Sequence, residues 1–137
     1  MNEVERYFAR LHERVAEAVD VPFEKVPGCE STDAHCHENV DGCVATHPSL
    51  TAVRGWLMEG PDELGTYRVI AHSVLSEGDR LFDITAIDPV SARPKFLRHE
   101  GTEKQFQAMK DGRSWLYYPP LRASFDPVSD ECDGPQD

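Results

Sequence analysis

Cys36 stands in the run Ser31-Thr32-Asp33-Ala34-His35-Cys36-His37-Glu38-Asn39, just after three residues that cap helices well. The positive end of a helix favours thiolate over thiol, and a neighbouring imidazole can take or share the proton. Histidine and aspartate follow further on, in Ala71-His72-Ser73 and Phe82-Asp83-Ile84. A β-hairpin closing on Glu77-Gly78 sets His72 directly opposite Asp83 on one sheet face, a base beside the carboxylate that would orient it. Cys36, His72 and Asp83 therefore have the types for nucleophilic attack on a carbonyl carbon through a thioester. Asn39, on the same helix as Cys36, and Trp56, on a neighbouring strand, are candidate pocket walls, with core packing the competing role for Trp56.

Those residues need a helix and a sheet to hold them. Val4, Phe8, Leu11, Val15 and Val19 recur at helical spacing from Glu3 to Asp20, Asn2 and Glu5 can form a capping box, and Val21-Pro22 stops the run. A loop from Pro22 to Glu30 leads to the second helix, whose buried stripe is Cys36, Val40, Cys43 and Val44 and which ends at His47-Pro48. On that stripe Cys43 reads as a small core residue. Strands are expected at 52–58, 66–75 and 80–86, joined by short turns into an antiparallel meander. Residues 95–99 form a short edge strand, Thr102 and Gln105 cap a helix bearing Phe106 and Met109, and 114–118 form a last strand or packing segment. The expectation is one small α+β domain over residues 1–123, an antiparallel sheet with the Cys36 helix packed on it. Residues 124–137, acidic and nearly without apolar side chains, read as a disordered tail in which Cys132 is incidental.

Composition narrows the chemistry. With 25 acidic against 14 basic residues the net charge is −11, and no Lys/Arg cluster offers a face for nucleic acid or an anionic membrane. No run is long and apolar enough to span a bilayer and the start lacks a leader pattern, so a cytoplasmic protein with four reduced cysteines is expected. The competing constellation is a zinc site, drawn from Cys29, Cys36, Cys43 and His47, in a non-catalytic interaction domain. Its cysteines are spaced by seven and form no Cys-x₂₋₄-Cys knuckle, so no cofactor is the first expectation. His35 and His37 read as solvent-facing flanks, and a Cys36–Cys43 disulfide is disfavoured because seven helical residues separate the two by about 10 Å.

Cys36 on a helix, then Val53-Arg54-Gly55-Trp56-Leu57, Ala71-His72-Ser73-Val74 and Leu81-Phe82-Asp83-Ile84-Thr85, resembles the transglutaminase-like branch of the papain-like cysteine enzymes. The resemblance covers residues 31–88 and implies a sheet with the cysteine helix packed across it, and acyl transfer from an amide or thioester. Hydrolysis would make the chain an amidase, deamidase or peptidase, and an amine acceptor would make it a transferase. The chain departs from the group at Ala34, where a glycine two before the cysteine is common, at Ile84, in place of the proline in the acid's motif, and in having no tryptophan beside Cys36. Glu30 stands nearest the position of the glutamine that papain-like proteases carry upstream of the nucleophile. The second oxyanion donor is thus open, with Ser31 and Thr32 as candidates beside the Cys36 backbone N–H.

Overall fold

The first helix, α1 (Glu3–Glu13), opens with the expected capping box: the Asn2 side chain accepts from the Glu5 N–H, and the Glu5 carboxylate accepts from the Asn2 N–H. It is shorter than its apolar periodicity predicts, because a separate 3₁₀ turn at Val15–Glu17 takes over after Arg14. Then come α2 (Cys36–Thr46), β1 (Thr51–Glu59), β2 (Tyr67–Glu77), β3 (Arg80–Phe82), β4 (Lys95–Arg98), α3 (Glu103–Gly112) and β5 (Trp115–Tyr118). The structure, a computed structural model, describes residues 2–86 and 94–120. The expected acidic tail and Cys132 lie outside the described residues. No helix among the described residues is long and apolar enough to cross a membrane.

The fold is α+β, with all strand pairings antiparallel and the strands in the order β3-β2-β1-β4. β5 pairs with the first half of β2 and β3 with its last three residues, both on the side away from β1. Between them, the part of β2 holding His72, Ser73 and Val74 has no strand partner on that side among the described residues. Side chains alternate across β2. Ala71 joins the core of Tyr7, Phe8, Leu11, Trp56 and Phe106 under α1 and α3, and Val74 joins Val21, Val53, Leu57 and Phe96. A third cluster, Val40, Cys43, Leu50, Leu75, Phe82 and Ile84, binds α2 to the sheet.

Three local expectations are corrected. The β2–β3 hairpin closes on Gly78-Asp79, with Glu77 paired to Arg80, so Asp83 is not directly opposite His72. The slip is by two positions, which preserves the face and leaves the two residues diagonal neighbours. The third strand also stops at Phe82, where Asp83 leaves β2 and binds residues 22–24 instead, donating to Pro22 O and accepting from the Glu24 N–H. Lastly, α2 begins at Cys36 itself, with His35 as N-cap and no side-chain cap from Ser31, Thr32 or Asp33. Ala34, at φ 65°, turns the chain through the left-handed region and cuts those three residues off from the helix start.

The expectation of four reduced cysteines fails at two of them. Cys29, in the loop before α2, is disulfide-bonded to Cys43, with Cα atoms 5.1 Å apart. Helical spacing disfavoured a Cys36–Cys43 bond but did not address a loop cysteine folding back onto the helix.

Candidate active site

Cys36 occupies the first turn of α2, half-buried and free of disulfide bonding. The first helical hydrogen bond runs from the Asn39 N–H to His35 O, so the backbone N–H groups of Cys36, His37 and Glu38 have no acceptor within the helix. His72 lies on β2 between its pairings with β5 and β3, 5 % exposed, with its Nε2 2.6 Å from Asp83 Oδ2. The other Asp83 oxygen accepts from the Thr85 N–H at 2.9 Å. With Nε2 committed to the carboxylate, Nδ1 is the His72 nitrogen left to meet the Cys36 thiol.

Burial opposes ionisation of Cys36, but hydrogen bonds with His37 and His72 outweigh it and pull the thiol down to about 6. For His72 burial disfavours the charged ring, yet the bonds to Asp83 and Cys36 prevail and raise it to about 9. Between those values the pair is thiolate and imidazolium, the ionisation state that a thiol nucleophile with an adjacent proton donor would need.

Asn39 is buried and fully engaged. Its amide donates to Thr32 O at 2.9 Å and to Thr85 Oγ1 at 2.8 Å, and its oxygen accepts from the Thr32 N–H at 3.3 Å. It thereby ties the nucleophile's helix to the turn that carries Asp83. Trp56, 1 % exposed, packs against Phe8 and Phe106 and donates its indole N–H to Tyr7 Oη at 2.9 Å. Both residues thus position the site or fill the core, and neither presents a free face as a pocket wall would. Gly55, opposite His72 across β1–β2, leaves room for Phe96: a Cβ there would come within 2.5 Å of both the Phe96 ring and Leu97 O.

Reasoning from sequence passed over His37. Rather than flanking the site in solvent, its ring is half-buried, with Nδ1 2.6 Å from Ser73 Oγ. Ser73 in turn accepts from Arg54 at 2.9 Å, and Arg54 also binds Asp41 on α2 at 2.7 Å and Glu103 on α3 at 3.1 Å. The signal was available only through register: Arg54 and Ser73 pair across β1–β2, two polar residues facing a helix-covered side of the sheet. His35 stays at the surface, its Nδ1 2.8 Å from Asp33 O.

The four-residue zinc set is not assembled. Cys29, Cys43 and His47 cluster with ligand atoms within 4.8 Å of one another, and Cys36 is not among them. As a disulfide, Cys29 and Cys43 lack the thiolates that a zinc site requires, leaving His47 as the only strong donor of the three.

No family model matches the chain, and no curated protein or solved structure matches it either. Its own geometry has to carry the functional reading.

Proposed function

We propose that the chain is a cysteine-dependent acyl-transfer enzyme working through a Cys36-His72-Asp83 triad. The observation that carries this reading is the buried His72–Asp83 bond of 2.6 Å, on the stretch of β2 between its β5 and β3 pairings, with the His72 imidazole favouring ionisation of the Cys36 thiol at the start of α2. The Cys36 thiolate attacks an acyl carbon, a C–S bond forms, and the carbonyl π pair moves onto oxygen. Collapse of that oxyanion breaks the bond to the leaving group, which takes the proton from His72 and departs as amine or thiol. His72 then removes a proton from the second nucleophile, whose attack on the thioester frees Cys36. Water as that nucleophile gives an amidase, deamidase or peptidase, and an amine gives a transferase. Asp83 holds the imidazole's tautomer and offsets its charge.

The substrate class is an amide- or thioester-bearing molecule, small or peptidic, and the nucleophile, base and orienter are all side chains, so the scheme needs no metal. Two features support a transglutaminase-like or papain-like core: the sheet carrying His72 with α2 packed on it, and the left-handed Ala34 two before Cys36, where that group commonly has glycine. The Cys29–Cys43 bond favours an oxidising setting over the cytoplasm expected from the sequence.

Incubation with p-nitrophenyl acetate, followed by mass spectrometry of the intact protein and its peptides, tests the reading. One acetyl group on Cys36, removed by neutral hydroxylamine and lost in His72→Ala, is the expected result. Acetylation scattered over lysines, with Cys36 unmodified, would refute it.

A further inference from the structure

Two imidazoles, His72 and His37, favour ionisation of the Cys36 thiol, and their outer partners are of opposite kinds. His72 is backed by Asp83, a carboxylate that only accepts, so Nε2 carries the proton and Nδ1 presents a lone pair. His37 is backed by Ser73, and Ser73 is backed by Arg54. A guanidinium has donors and no acceptor, so at 2.9 Å it is Ser73 Oγ that accepts from Arg54. Ser73 is fully buried, and its hydroxyl proton needs an acceptor. Of its two side-chain partners, only His37 Nδ1, 2.6 Å away, can accept it. Neutral His37 therefore has its proton on Nε2, the nitrogen left for Cys36.

We propose that His37 is an oxyanion donor: the Arg54–Ser73 relay fixes it as the Nε2–H tautomer and directs that N–H to the oxygen of an acyl group attacked by Cys36. This rests on Cys36 being the nucleophile and names the second donor that the site needs. The unpaired N–H groups at the start of α2 supply the first. One imidazole handles protons and the other binds charge, a division set by their backing groups. Arg54 is a positioning residue here, held by Asp41 and Glu103 and acting through Ser73.

Two electrophiles separate this role from a simple effect on the thiol. Iodoacetamide is attacked at its methylene carbon with loss of iodide and forms no oxyanion, whereas p-nitrophenyl acetate passes through one before p-nitrophenolate leaves. Both rates at Cys36 are measured on the alkaline plateau of each protein's own alkylation profile, where the thiol is fully ionised. His37→Gln and His37→Met have similar bulk but differ in keeping an N–H donor, so any shared packing defect cancels between them. Expected is a fall of about 10²-fold in acylation for His37→Met, partial retention for His37→Gln, and nearly equal alkylation rates. Equal acylation in the two variants, or a parallel fall in both reactions, overturns the proposal. If wild-type Cys36 is neither alkylated selectively nor acylated, the nucleophile reading itself fails and takes this one with it.

Discussion

At the scale of single residues the site depends on who donates to whom. Asp83 accepts from both the Thr85 N–H and His72 Nε2, which leaves His72 Nδ1 as the face offered to the thiol. In Asp83→Asn the amide can still accept from Nε2–H, but it no longer offsets the imidazolium charge. The His72 pKa, raised to about 9 largely by that carboxylate, then falls, and the thiolate–imidazolium form gives way to the neutral pair. The expected outcome is a drop of roughly 10²–10⁴-fold in the p-nitrophenyl acetate acylation rate at pH 7, with the folded state retained by circular dichroism. Ala34 illustrates a different constraint. Its left-handed backbone costs an L-residue roughly 1–2 kcal/mol, while glycine returns some of that through its freer unfolded chain. Ala34→Gly should raise the urea midpoint, with a net gain of up to about 1 kcal/mol and no loss of Cys36 reactivity. His37 was not legible in the sequence, because its partner Ser73 comes 36 residues later and its meaning depends on Arg54 across another register.

Among the elements, α2 is the piece that has to be aimed. Asn39 ties it to the Asp83 turn through Thr85, Arg54 ties it to the sheet through Asp41, and the Cys29–Cys43 bond ties it to the loop before it. The disulfide spans 14 positions, a loop whose closure contributes about 3 kcal/mol by restricting the unfolded chain. Cys29→Ser should lower the unfolding free energy by about that amount in urea titration while leaving the alkylation profile of Cys36 in place, because both of its imidazoles are held from β2 and Asp83. Loss of Cys36 reactivity in the folded variant would show that the loop, not the sheet, aims the thiol. Apolar periodicity and caps made α1, α3 and the strands readable: Asn2 with Glu5 and Thr102 with Gln105 cap as expected. The hairpin register was two positions out because Glu77-Gly78 and Gly78-Asp79 are both turn-compatible dipeptides, and only the positive φ of Gly78 in the folded chain distinguishes them. The start of α2 was misplaced because Ser31, Thr32 and Asp33 are all good caps locally, whereas Ala34 diverts the chain after them.

For the whole molecule, no strand among the described residues pairs with the middle of β2 on the side away from β1, and the candidate triad gathers there. β3 ends at Phe82 and β5 begins at Trp115, so neither covers His72. The sequence revealed the residue types and their order, while that stretch required two strands to share one edge of β2, which no local pattern announces. The net charge of −11 sets this stretch in an acidic molecule, a field that favours the approach of cationic ligands over anionic ones. The central claim is tested most directly by the rate of iodoacetamide alkylation at Cys36 against pH, in the wild type and in His72→Ala, with the labelled peptide identified by mass spectrometry. The wild-type rate should rise through about pH 6, because a lowered thiol pKa keeps the thiolate present well below the pH at which a free cysteine ionises. In His72→Ala that midpoint should move upward. A wild-type midpoint at the ~8.5 of an ordinary thiol, unchanged by the substitution, would contradict the triad.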